Sequence, residues 1–180
     1  LRVGKSIYHT TELARISGLN QDSCNRAILR LVQSGLLAKL AKGFYGNSFR
    51  MPTLEKVSAR LYPPSYISLE SALYQFGIIE QVPQLVTCVT TNKTKSFTTG
   101  LGEIQYFHIK PALFNQFSQQ DNYFIAIPEK AVLDYIYLKR QIGMAPLTDE
   151  FYWEQVDIQK LHDIAEQFPM TVQETIHSSL

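Results

Sequence analysis

The chain has 180 residues, of which 45% are hydrophobic and 18% charged. That apolar content is enough to bury a core and excludes a disordered polypeptide, and the length holds one large domain or two small ones. The formal charge of +1 excludes a uniformly basic or acidic coat, but it hides an asymmetry. Residues 1–52 carry eight Lys/Arg against two Asp/Glu, a net of +6, while residues 53–180 carry nine against fourteen, a net of −5. A small basic module joined to a larger acidic one predicts that the front end meets a polyanion. No apolar run reaches the ~18 residues of a membrane span, and no secretory leader pattern is visible. The expectation is a cytoplasmic protein with no membrane partner. Cys24 and Cys88 are the only cysteines, and they are read as free thiols.

In chain order, residues 1–8 make a poor helix. Thr10 or Thr11 caps a helix to about Ser17, with Leu13, Ala14 and Ile16 as its apolar positions. Gly18 breaks it, and Leu19 is expected to plug the turn. Asn20 caps the next helix, which runs to about Ser34 with a stripe of Cys24, Ala27, Ile28, Leu31 and Val32. Gly35 stops it. Leu36–Ala41, the turn Lys42-Gly43 and Phe44–Gly46 then read as a two-stranded hairpin. Helix, turn, helix and hairpin follow the order of a winged helix-turn-helix, here residues 1–51. The helix that normally precedes these elements is expected to be missing or truncated.

Residues 52–66 read as a linker holding a short helix at 54–61 and a stiff extended run through Pro63 and Pro64. Residues 67–180 read as a second domain. Ser68 caps a helix to about Phe76. Strands are expected at 85–91, 95–99 and 103–109, arranged as an antiparallel meander, with a further strand at 124–127. Pro128 opens a helix to about Lys139, and 157–167 forms another. The fold class is therefore α+β: a winged helix-turn-helix followed by a mixed α+β domain.

The front module carries the functional signal. The second helix of a helix-turn-helix enters the major groove with its N-terminal residues facing base edges. Here these are Asn20, Gln21, Ser23, Asn25 and Arg26. Asn and Gln match adenine edges and Arg matches guanine. Arg30, one turn further, suits a phosphate, and Lys39 and Lys42 on the hairpin suit the backbone or the minor groove. Double-stranded DNA is the expected partner.

Other chemistries find less support. Gly4-Lys5-Ser6 resembles the end of a phosphate-binding loop but lacks the strand and helix such a loop requires. The four histidines, His9, His108, His162 and His177, show no metal-ligand spacing, and no cofactor or metal is expected. Glu103, Asp121, Glu129, Lys130 and Asp134 are the one set that could imitate the carboxylates and lysine of a metal-dependent nuclease. Asp134 is expected on a solvated face. Tyr106, Phe107, Phe114, Phe117, Tyr123 and Phe124 are read as core rather than as a base-stacking surface. Residues 141–180 hold seven Asp/Glu against one Lys, which repels nucleic acid and suits a basic partner. A protein-interaction module with a structural winged helix is thus the main alternative to DNA binding.

The order of motifs resembles a family. Gly43-Phe44-Tyr45 ends the hairpin. Tyr-Pro-Pro-Ser-Tyr-Ile-Ser-Leu-Glu-Ser-Ala-Leu follows at 62–73 and Gly-Ile-Ile-Glu-Gln-Val-Pro at 77–83. Tyr-Phe-His-Ile-Lys stands at 106–110, and Ile-Ala-Ile-Pro-Glu-Lys-Ala-Val-Leu-Asp at 125–134. Over nearly the whole chain this is similar to the AbiEi-type antitoxins of bacterial type IV toxin–antitoxin systems. The resemblance implies a repressor that binds inverted repeats in the promoter of its own operon. It also implies an antitoxin domain that counteracts a nucleotidyltransferase toxin, in many cases without a stable complex, and no catalytic activity. It supplies no site residues; those named above come from the helix pattern.

Overall fold

A computed structural model describes residues 5–180; Gly4 of the phosphate-loop-like tripeptide and residues 1–4 of the segment 1–8 lie outside the described residues. The first elements are β1 (Ile7–His9), α1 (Thr10–Ser17), α2 (Gln21–Gln33), β2 (Leu37–Ala41) and β3 (Phe44–Asn47). The strands form an antiparallel sheet in the order β1-β3-β2. Neighbouring side chains on a strand face opposite sides, and this sheet uses both. Tyr8, Leu37 and Tyr45 pack with Leu13, Cys24 and Ile28 of the two helices. Ile7, Leu40 and Phe44 pack instead into a second, larger core. The small sheet is therefore covered on one face by α1 and α2 and on the other by the rest of the chain.

That rest comprises α3 (Leu54–Leu61), β4 (Ser65–Ile67), α4 (Leu69–Gln75), β5 (Val86–Thr90), β6 (Lys95–Thr99) and β7 (Gly102–His108). It continues with β8 (Phe117–Gln120), β9 (Tyr123–Ala126), α5 (Pro128–Gln141), α6 (Ile158–Ala165) and α7 (Met170–Ser179). Mixed α+β is thus the architecture. The strands form one six-stranded sheet in the order β6-β7-β5-β4-β9-β8. Helix α5 is buried at every position from Glu129 to Leu138, as a central helix surrounded by other elements must be.

The antiparallel meander is corrected. β7 lies between β5 and β6 and runs parallel to β5, while β6 pairs with β7 antiparallel. Burial gives the reason. All five residues of β5 are buried, so it needs a neighbour on each edge, whereas β6 is largely exposed and takes the sheet edge. Lys95 on that edge guards it against further pairing.

The stretch 52–66 packs instead of bridging. Pro52 is buried, and Val57 and Ser58 of α3 sit inside the larger core. The Tyr106 hydroxyl donates to the Ser58 carbonyl at 2.7 Å. The β6–β7 turn then reaches the small sheet. The Gly100 amide donates to the Leu40 carbonyl at 3.1 Å. A Cβ at Gly100 would stand 2.8 Å from the Lys39 carbonyl oxygen, so only glycine fits this approach.

Candidate nucleic-acid interface

The helix that faces outward is built by its caps. Gly18 takes a left-handed φ of 67° and turns the chain after α1, and the Asn20 side chain accepts from the Ser23 amide at 2.9 Å to start α2. The N-cap of α1 is His9, not Thr10 or Thr11. Its ring accepts from the Thr11 amide, and Glu12 returns a bond by accepting from the His9 amide at 3.3 Å. This capping box satisfies two donors that helix geometry leaves free.

Glu12 is also where the helical face is tied to the larger core. Its carboxylate accepts from Lys5 and lies 3.6 Å from the Arg60 guanidinium of α3. The bond from Lys5, together with the His9 amide, holds the Glu12 carboxyl below its ordinary 4.5, against the opposing effect of burial. A depressed carboxyl contributes stability that is present above the unfolded value and lost as pH falls through the folded one. Glu12→Gln keeps an acceptor for the His9 amide but removes the charge that faces Lys5 and Arg60, and is therefore expected to cost about 0.2–1 kcal/mol at neutral pH, the range for a partly exposed ion pair. It should also flatten the loss of stability below about pH 4.5, read by urea unfolding at a series of pH values.

On α2, Cys24 and Ile28 point into the small core. At 100° per residue, Arg26 and Arg30 fall on the opposite side, and both are exposed. Their surroundings form a shallow groove lined by Leu19, Ser23, Arg26, Leu29, Arg30 and Gln33. The Gln21 amide donates to the Asn25 carbonyl at 3.0 Å, and Arg26 reaches the Ser23 hydroxyl at 3.5 Å. Six of the predicted site residues, Asn20, Gln21, Ser23, Asn25, Arg26 and Arg30, thus share one helix and its cap. Leu19, expected to plug the turn, is 42% exposed, and Ile16 is 51% exposed.

Lys39 and Lys42 are exposed but lie outside that groove. The Lys42-Gly43 turn is held at the start of α1, where the Thr10 amide and hydroxyl both donate to the Gly43 carbonyl. The hairpin is accordingly short and tethered at its tip. Arg15 and Arg50, which the helix pattern alone did not single out, add exposed cations to the same module. Among the described residues, Arg15, Arg26, Arg30, Lys39, Lys42 and Arg50 make no ion pair.

The nuclease-like set does not converge. Glu103 is exposed on β7, Asp121 pairs with Lys56, and Glu129 pairs with Lys160 at 3.1 Å and accepts from the Asp157 amide. Lys130 and Asp134 form a separate, fully buried pair, and no group of three or more His, Cys, Asp or Glu among the described residues is placed to hold a metal.

Asp134 is thereby corrected: it lies in the core, not on a solvated face. Its Oδ2 accepts from the Tyr66 hydroxyl at 2.8 Å and the Ser68 hydroxyl at 2.9 Å, and Lys130 donates both to Asp134 and to the Tyr66 oxygen, the latter at 2.9 Å. Ser68 spends its side chain here and makes no cap bond to α4. Burial pushes the Asp134 carboxyl up and the Lys130 ammonium down, each against the pull of its partner. With all four side chains buried, the cluster ties α5 to β4 and offers no open site.

Of the aromatic residues read as core, Tyr106 is buried and Phe107, Phe114, Phe117 and Tyr123 pack against the larger core, whereas Phe124 is 43% exposed. Tyr66, Phe114, Phe117 and Phe124 form a chain of ring contacts with centroids 4.8 to 5.6 Å apart, and of these only Phe124 is exposed. Cys24 and Cys88 are free and buried, and burial pushes the Cys88 thiol up to about 12. No helix among the described residues is long and apolar enough to cross a membrane. Compared with known proteins, the chain matches no family model and no curated protein.

Proposed function

We propose that this chain is a DNA-binding transcriptional repressor and an antitoxin of the AbiEi type. Residues 1–51 act as a winged helix-turn-helix that lays α2 in the major groove, and residues 67–180 act as the antitoxin domain. One observation carries the DNA part: Arg26 and Arg30 stand outward on a capped helix, opposite its buried stripe and unpaired. A bundle of unpaired cations in one small module costs self-repulsion that a phosphate backbone relieves. The packing of α2 on the small sheet through Cys24 and Ile28 supports the same reading, because it turns the face that carries Arg26 and Arg30 away from the sheet. The antitoxin part rests on the motif resemblance alone. In this reading the chain has no chemistry of its own.

The test is a mobility shift with DNA from upstream of its own gene. Binding is expected to be tighter to that fragment than to random duplex, and to weaken with a log–log salt slope of about −0.9 per phosphate contact. Absence of any salt-sensitive binding overturns the repressor assignment. For the antitoxin, co-expression should restore the growth of cells carrying a nucleotidyltransferase toxin encoded beside this gene; unrelieved toxicity overturns that half alone.

A further inference from the structure

The segment after α5 carries an exposed apolar surface that nothing in the single chain covers. Ile142 is 66% exposed, Met144 52% and Leu147 60%. Isolated exposed apolar residues are ordinary, but three large ones within six residues mark an interaction surface. Asp149 and Glu150 follow directly and are exposed, and no Lys or Arg occurs from 141 to 159. The segment is nonetheless held in place. The Met144 amide donates to the Lys139 carbonyl at 2.9 Å, and Thr148 and Ser179 share a hydroxyl bond of 2.7 Å. A surface held in its binding shape loses less entropy on docking.

The groove along α2 is its complement. Leu19 (42% exposed) and Leu29 (60% exposed) stand beside Arg26 and Arg30. Neither arginine, nor Asp149 or Glu150, makes an ion pair among the described residues. One surface offers apolar knobs and two carboxylates; the other offers an apolar-edged groove and two guanidinium groups, which carboxylates can engage two-fold. We propose that residues 142–150 of one copy dock in the α2 groove of a second copy, so that the protein associates head to tail and covers its own cationic face. The occupant is a second copy because both halves of the match, charge and apolar shape, are present on this one chain. This contact uses two different patches, so it can add further copies or close into a ring. It rests on exposure and charge alone and does not depend on the DNA reading.

Sedimentation of the full chain supplies the test. At about 0.1 M salt, where the screening length is about 10 Å, the average mass should rise with concentration above the 20.6 kDa of one chain. At about 1 M salt, with screening at about 3 Å, it should fall back. The decisive arm mixes two variants, Arg26→Glu/Arg30→Glu and Asp149→Arg/Glu150→Arg. Each alone should stay monomeric, because it pairs like with like. Together they should recover the concentration-dependent growth of the wild type, because the kept contact and the charge-reversed one both pair unlike charges. The milder pair Arg26→Ala/Arg30→Ala and Asp149→Asn/Glu150→Gln is run beside them, so that a folding defect in one set does not decide the result; mixed, it should stop at a 1:1 dimer, since only one charged patch remains on each. A wild-type mass fixed at one chain, or mixtures in which neither set associates, overturns the proposal. If the variants associate as expected but short DNA duplex does not dissolve the wild-type assembly, self-association stands and DNA does not compete for the α2 groove.

Discussion

Replacing Arg26 and Arg30 together with alanine is expected to remove the mobility shift on the chain's own upstream DNA. The two side chains should contribute differently. Arg26 lies in the second turn of α2, where a helix in the major groove meets base edges. Its loss should cost about 1–3 kcal/mol and relax preference at one base position. Arg30 lies one turn further along the same exposed face. Its loss should weaken all sequences alike and make the salt slope shallower by about one. With both gone, the double variant loses a base contact and a phosphate contact together, which moves binding toward the level of non-specific association. Arg26→Lys separates charge from geometry: it keeps the cation but cannot make the two-fold contact, so affinity should survive better than specificity. Lys110→Ala, an exposed cation outside the module, should change nothing. Equal loss of binding from Lys110→Ala would show that α2 is not the contact.

The second large effect concerns stability. Lys130→Met removes one charge from a pair whose side chains are both fully buried. The Asp134 carboxylate would then keep only the Tyr66 and Ser68 hydroxyls. Leaving a buried charge uncompensated costs about 3–5 kcal/mol, or roughly 6–20 °C of melting temperature in a chain of this size. Lys130→Met with Asp134→Leu removes both charges and should recover most of that loss, because an apolar replacement of a buried pair is often neutral. Thermal unfolding of the two variants checks the claim. If the double variant melts no higher than Lys130→Met alone, the cost lies in packing and not in an orphaned charge.

These two sites differ in how they could be read. Arg26 and Arg30 declare themselves by spacing, since a helix that buries Cys24 and Ile28 must turn residues 26 and 30 outward. Lys130 and Asp134 give the opposite impression. An acid four residues after a lysine on a helix normally marks a solvated ion pair. Only the neighbours of α5 reverse that reading: β4 supplies Tyr66, Ser68 follows it, and the helix is enclosed from Glu129 to Leu138. Those partners lie 64 to 68 residues away in the chain, beyond the reach of any local pattern.

The same division runs through the fold. Local chemistry was enough for α1, α2 and the hairpin, where Gly18, Asn20 and Gly35 act on bonds no more than a few residues long. It was enough for Pro128 at the start of α5 and for the three strands between 86 and 108. Strand order was not legible, because the alternation that marks a strand says nothing about which neighbour it takes. The placement of β7 between β5 and β6 follows from which strand must be buried on both edges, a property of the assembled sheet. The stretch 52–66 looked like a linker for a related reason: its prolines describe local stiffness, while the burial of Val57 and Ser58 depends on what packs over them. By itself, then, the sequence determined the uneven charge of residues 1–52 and 53–180, and it determined the helices through α6 and the cationic face of α2, which follow from contacts within about one helical turn, but it did not announce α7. Tertiary structure alone decided which charges are buried, which strands are neighbours and how the small sheet is clasped between two cores, because these depend on residues that meet only after the chain has folded.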